Sequence, residues 1–281
     1  MGRYQLNKHN ELNELTQMQA LNFHIPINQL ELFFLVFFRI SAMLMTIPFF
    51  NSRNIPLLFK VGLAVCMSVL MIPLLEGTQL IMTQSILALM LSLIGEIAIG
   101  VIIGLAVQMI FTAVQMAGQL VGFQMSFAIA NVVDPAGGNQ VPLLSQFTNV
   151  LAMLLFLTTN AHHLLLRTLT ESFQLIPPLG FHYRKAMVEQ IMVLAGNMFV
   201  VAIKLGAPII IVLLLTSVAM GLMARTVPQM HVFIVAMPLK IAVGFIFLGL
   251  AMPYMSVFLG QLFNASGTEI MSLLKLCRGN M

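Results

Sequence analysis

The chain has 281 residues, of which 59% are hydrophobic and only 8% charged, with a mean hydropathy of +0.98. That balance excludes the soluble globular class. The formal charge of +4 is spread thinly and forms no basic cluster, which leaves nucleic acid without support as a partner.

Apolar windows long enough to cross a hydrocarbon core recur about six times, which predicts a polytopic α-helical membrane protein. Strand alternation with aromatic girdles is absent and so is Trp, which argues against a β-barrel. The two cysteines, Cys66 and Cys277, provide neither a disulfide framework nor metal spacing. Twenty-three Met and 21 Phe stand against 3 Tyr. Met suits surfaces that repack around changing shapes, although filling gaps between helices is its plainer role.

Residues 1–27 are polar and mixed in sign, with Arg3, Lys8, Glu11 and Glu14. They lack an apolar core and a cleavage site, so they read as an N-terminal tail and not a signal peptide. A first apolar helix is expected over about 30–50, interrupted by Arg39 and ended near Pro48. A short loop leads through Ile55-Pro56 to a second helix over about 57–75, with Lys60 near enough to its start to snorkel.

Residues 79–133 contain no proline and a single charge, Glu96. As one helix this run would reach about 80 Å at about 1.5 Å per residue, far beyond a bilayer's need. It is expected to break, tilt strongly or leave the membrane, with Gly118 and Gly122 as the break points. Within it Glu96, Gly100, Gly104, Gln108 and Thr112 recur every four residues, and such residues share one ridge of a helix. The small and polar stripe predicts tight helix association, with an ion path as the competing reading.

The run leads into residues 119–142, QLVGFQMSFAIANVVDPAGGNQVP. Asp134-Pro135-Ala136-Gly137-Gly138-Asn139 is a strong turn signal, because Pro fixes φ and the two Gly open positive φ. The segment before it is uncharged yet apolar on all sides, through Met125, Phe127, Ile129 and Val132. Such a mixture suits irregular backbone buried in protein or lining a cavity.

Another helix is expected over 141–166, ending in Asn160-Ala161-His162-His163. A polar connection over 167–185 centres on Pro177-Pro178. An apolar run over 187–222 carries Lys204 and Pro208, and Arg225 to Gln229 forms a short basic turn. The last apolar run, about 231–263, is interrupted by Pro238, Lys240 and Pro253. A weakly amphipathic tail follows. The domain reading is therefore a tail at 1–27, one helical domain over 28–265 and a C-terminal tail over 266–281. Basic residues balance across the two sides, so orientation stays open.

The chemistry of a catalyst is not found. His162-His163 lacks an HExxH pattern, and adjacent residues project about 100° apart on a helix, so a helix-end role is expected and not a metal site. Asp134 is the only aspartate, which excludes an aspartyl dyad within the subunit. No phosphate loop or nucleophile elbow occurs. The expectation is no enzyme and no cofactor. That leaves Arg39, Glu96, Lys204 and Lys240, ionisable groups inside or near apolar segments and functional candidates by default. They line an ion or substrate path, or they pair with partner subunits. No convincing internal repeat supports a transporter. One acid against three bases is unbalanced within the chain, which favours assembly with partners.

Several residues in order along the chain carry a resemblance. They are Ala117-Gly118-Gln119, Gly122-Phe123-Gln124-Met125, Val133-Asp134-Pro135 and Pro142, then Leu155-Phe156-Leu157 with Asn160-Ala161-His162. Ser172-Phe173 before Pro177 follow, then Gly221-Leu222 with Arg225 and Pro228-Gln229. Upstream, Arg39, Pro48, Ile55-Pro56 and Lys60 join them. Together they resemble the FliR family of flagellar biosynthesis proteins and the T-type counterparts in virulence type III secretion. The likeness covers essentially the whole chain beyond the N-terminal tail. Ser126 departs from a usual Gly, His231 from a common Asn and Ala236 from a frequent Gly.

This resemblance implies an all-α fold of polytopic hydrophobic helices in hairpins, a non-enzymatic subunit of the flagellar type III protein export gate. FliP-type and FliQ-type subunits would join it in a helically staggered hetero-oligomer, with an FlhB-type switch protein nearby. The assembly would sit in the bacterial inner membrane at the flagellar basal body and pass unfolded secreted proteins. A plug loop at about 125–141 would close the channel, with Met125, Phe127, Ile129 and Val132 inside it and Asp134 and Pro135 fixing its end. Gly118 and Gly122 would be its hinge. Glu96, Gly100, Gly104, Gln108, Arg225 and Gln229 would pack between subunits. The alternative is a stand-alone polytopic transporter or ion channel.

Overall fold

The structure, a computed structural model, describes residues 27–51, 55–75, 86–126, 142–226 and 232–277. Its elements are helices throughout. They are α1 (Ile27–Thr46), α2 (Pro48–Asn51), α3 (Leu57–Met71), α4 (Ile86–Gln124), α5 (Leu143–Thr158), α6 (Ala161–Leu175), α7 (Lys185–Thr226) and α8 (Val232–Cys277). A 3-10 turn, Ile72–Leu75, extends α3. Pro56 and Pro142 stand immediately before α3 and α5, where a fixed φ and a missing N–H cost nothing.

The helix α4 is the axis of the fold. It is apolar on all sides, so its pattern marks no single buried face. It packs against α1, α5, α7 and α8, while α7 and α8 also pack on each other and α8 covers α6. One large core joins α1 and α4 to α5, α6, α7 and α8, and a smaller one surrounds the C-terminal end of α4. At the centre of the larger core, Phe111, Phe156 and Phe263 from α4, α5 and α8 pack ring against ring with centroids 5.3–5.7 Å apart. These edge-on and tilted contacts are the favoured geometry of aromatic quadrupoles.

Close helix crossings depend on glycine. A Cβ on Gly100 would collide with the Arg39 carbonyl and lie 2.9 Å from the Ala42 side chain. One on Gly104 would lie 2.6 Å from Thr46 Cβ. The two glycines therefore let α1 lie directly on the α4 backbone. On α4's next crossing Gly118 meets the Thr148 hydroxyl and the backbone of α5. Gln115 Nε2 donates to Asn149 Oδ1 at 2.9 Å, and Ser145 Oγ donates to the Gln115 carbonyl at 2.9 Å, so polar cross-links add to that packing.

Several boundaries differ from the sequence reading. The prolineless run does not break at Gly118 or Gly122. The 39-residue α4 passes through both, with Thr148 and the α5 backbone packed on Gly118 and Leu144 beside Gly122. The expected helix over 141–166 is two helices bent by 68°, with Asn160 in the left-handed region at φ 55° between them. Much of the expected polar connection at 167–185 is α6. The C-terminal tail expected from residue 266 is instead the continuation of α8, whose Ile270, Leu273, Leu274 and Cys277 are buried in the main core.

Five helices are long and apolar enough to cross a membrane, or six when the bent α5–α6 pair counts as one span. The helices α7 and α8 have 42 and 46 residues. At about 1.5 Å per residue each exceeds 60 Å, about twice the thickness of a hydrocarbon core.

Candidate functional site

The buried charges form the first feature. Arg39 is 0% exposed and Glu96 1% exposed. Arg39 Nε donates to Glu96 Oε2 at 2.5 Å. The rest of the guanidinium is occupied as well: Nη1 donates to Ser172 Oγ at 3.3 Å and Nη2 to the Ile176 carbonyl at 3.1 Å. Its flat face lies 4.1 Å from the centroid of the Phe173 ring, a favourable cation–π placement. The other Glu96 oxygen accepts the Leu179 N–H at 3.4 Å, and Leu179 itself has φ 74°. One ion pair thus ties together α1, α4, the end of α6 and the turn that follows it. Arginine suits this position because its planar fork serves several acceptors at once.

Glu96, Gly100 and Gly104, expected between subunits, face this chain's own α1 and the 176–180 turn. Gln108 is half-buried farther along α4, and its carbonyl accepts the Thr112 hydroxyl at 2.9 Å. Arg225 is exposed in the last turn of α7, and Gln229 lies outside the described residues. The charge imbalance seen in the sequence also changes meaning. The acid takes Arg39, while Lys204 stays exposed on α7 and Lys240 half-buried on α8. Neither lysine makes an ion pair among the described residues.

The second feature is the end of α4. Met125, expected in the plug, is 0% exposed and packed among Val121, Leu144, Ile209, Leu213, Leu248 and Ala251. It enters a notch in α8: a Cβ on Gly244 would lie 2.6 Å from Met125 Cγ and Cε. Met125 therefore belongs to the core of the chain, where a flexible thioether fills an irregular space. Ser126, immediately after it, has φ 65°, and its N–H donates to the Phe123 carbonyl at 3.1 Å. The left-handed conformation ends the helix and favours glycine, which is the physical cost of the serine departure. Phe127, Ile129, Val132, Asp134 and Pro135 lie outside the described residues. Gly118 and Gly122 are buried within the unbroken part of α4, where Gly122 meets Leu144 at 3.7 Å.

The third feature is outward. Large apolar side chains are exposed along α3, α7 and α8, among them Leu58, Leu70, Met192, Phe199, Ile203, Leu215, Ile246 and Leu250. The histidine pair lies at the α5–α6 bend with ring centroids 4.2 Å apart. Among the described residues no group of three or more His, Cys, Asp or Glu is placed to hold a metal ion.

Sequence reasoning singled out Arg39 and Glu96 but missed their pairing, and it missed Ser172, Ile176 and Leu179 as partners. A usable signal was present: Glu96 was the sole acid of the buried set. Gly244 as the socket for Met125 had no signal, since nothing local marks a contact between residues so far apart.

Residues 30–266 match the family model for bacterial export proteins, family 1. The chain is 38% identical over 250 residues to the flagellar biosynthetic protein FliR of Bacillus subtilis (strain 168), covering 87% of this chain and 95% of that protein. Likeness to FliR of Pectobacterium carotovorum subsp. carotovorum is 36% over 252 residues, covering 88% and 94% of the two chains. For FliR of Escherichia coli (strain K12) it is 33% over 253 residues, covering 88% and 93%. With its long apolar helices and this agreement over most of its length, the chain is a membrane component of the flagellar export apparatus and belongs to bacterial export proteins family 1, the FliR family.

Proposed function

We propose that this chain is a non-enzymatic subunit of the flagellar protein export gate in the bacterial inner membrane. It joins FliP-type and FliQ-type subunits around a channel for unfolded secreted proteins, next to an FlhB-type switch protein. Residues 127–141 close that channel at rest, hung from Met125 at the end of α4.

The observation that carries this reading is the mismatch between helix length and bilayer. Both α7 and α8 are about twice as long as a hydrocarbon core is thick, and the exposed apolar side chains of α7 extend from Met192 to Met223, about 46 Å. Lipid covers only about 30 Å of such a face. The rest needs protein, as a subunit of a larger assembly has. In support, Met125 is held in the chain's core directly before this segment, and a seal that parts for any sequence should be apolar, as Phe127, Ile129 and Val132 are.

Two measurements test it. The tagged chain, purified in mild detergent from its native host, is expected to carry two other small hydrophobic proteins in several copies. A lone chain or homo-oligomer that binds a small solute would instead indicate a transporter. Deleting 127–141, which leaves the Met125 anchor intact, is expected to preserve assembly and raise ion leakage. Background leakage from an assembled deletion variant would remove the closing role.

A further inference from the structure

The outward face of α7 carries a charge that no acid among the described residues answers. Val193, Val200, Ile203, Ile211, Leu214 and Val218 are exposed at intervals of three and four residues or their multiples, the spacing of one helical face. The opposite stripe, including Leu194, Ala202, Leu205, Ile209 and Leu213, is buried in the chain. Lys204 is exposed within the apolar face, near the middle of the 42-residue helix, and makes no ion pair among the described residues.

No placement of a bilayer satisfies this face. From Met192 to Met223 the exposed apolar residues extend about 46 Å, against about 30 Å of hydrocarbon. A bilayer centred on the face puts Lys204 at hydrocarbon depth, where an unpaired ammonium costs about 2.5 kcal/mol or more. A bilayer shifted so that Lys204 meets the headgroups leaves either Val193 to Ile203 or Ile211 to Val218 in water. In the first case protein must cover Lys204 itself, and in the second it must cover the apolar residues beside Lys204 that are left in water.

We propose that a helix of a neighbouring subunit packs along this face of α7 and sets an Asp or Glu carboxylate against Lys204. This rests on the export-gate reading and specifies the chemistry of one of its contacts. The pair would be desolvated by the flanking valines and isoleucines, so it would fix the register of the two helices more than it adds raw affinity.

The test compares Lys204→Arg, Lys204→Met and Lys204→Glu, expressed with the native partners and recovered through a tag. Since Lys204 is exposed in the chain, all three should fold, checked by helical circular dichroism. Arg should keep hetero-oligomer recovery and Glu should lower it by about tenfold or more, because like charges brought together oppose docking. An Asp or Glu of a co-purified partner changed to Lys should restore recovery in the Lys204→Glu background. Wild-type recovery of Lys204→Glu would overturn the proposal. So would a Lys204→Glu complex that keeps its partners but loses bound anionic phospholipid in native mass spectrometry, which would assign Lys204 to a lipid phosphate. If the unaltered chain yields no hetero-oligomer, the export-gate reading itself fails. If the unaltered chain assembles and Lys204→Glu does too, only the carboxylate pairing fails.

Discussion

Replacing Arg39 by Met deletes a guanidinium that is 0% exposed while keeping most of its apolar stem. The packing change is small, so the loss is chiefly ionic. Glu96 would stay behind as a buried carboxylate whose remaining partner is the Leu179 N–H at 3.4 Å. The Ile176 carbonyl and the Ser172 hydroxyl would each lose a donor. Removing one member of a buried pair costs about 3–5 kcal/mol, and these extra unpaired acceptors place Arg39→Met toward the upper end. Glu96→Met leaves the Arg39 guanidinium buried without its acid, so about 3–5 kcal/mol is expected here too. The double variant Arg39→Met with Glu96→Met leaves neither charge, and replacing both members by apolar groups is often nearly neutral. With the double variant near neutral, the coupling should approach the sum of the two single losses, roughly 6 kcal/mol or more. Unfolding of the four purified proteins by a graded anionic detergent, followed by helical circular dichroism, measures this cycle. If the double variant lost the sum of the two single losses, the ion pair would not organise the fold as argued. Because the pair lies inside the chain, recovery of any hetero-oligomer should fall only as far as the folded chain becomes scarce.

Glycine contacts supply a second prediction. Gly100→Ala drives a methyl into the Arg39 carbonyl and the Ala42 side chain, and rigid backbone cannot yield. A cost of about 1–3 kcal/mol is expected. Gly244→Ala meets only the flexible Met125 side chain, so it should cost less. Thermal unfolding in one detergent ranks them, and a lower midpoint for Gly244→Ala would contradict the packing described. Ser126→Gly should raise stability by about 0.5–1 kcal/mol, since the relief of a left-handed serine outweighs glycine's greater chain entropy. Unchanged or lower stability in the same assay would refute it.

The helical character of this protein is local information. Uninterrupted apolar runs, prolines at 48, 56 and 142, and charges confined to a few sites lead to long membrane-compatible helices before any contact is considered. The buried set Arg39 and Glu96 was visible for the same reason, because an ionisable group on an apolar helix stands out without knowledge of the fold. So were the tight crossings at Gly100 and Gly104, though not the helix they cross.

Tertiary structure decided the rest. A helix as uniformly apolar as α4 has no polar side to indicate its outward face, so periodicity could not say whether Glu96 looks toward this chain or a neighbour. Only the approach of α1, 57 residues away in sequence, pairs that acid with Arg39 and brings Gly100 and Gly104 against the α1 backbone. Likewise Gly118 reads as a hinge in isolation, yet α4 runs through it as one helix, with Thr148 and the α5 backbone packed on it. The amphipathic pattern after residue 266 marks a tail when read alone and a core helix once α6 lies across it. Conformational preference is set within a few residues, whereas the face a side chain buries is set by what the chain brings against it. That is why the elements were legible in the sequence and their partners were not.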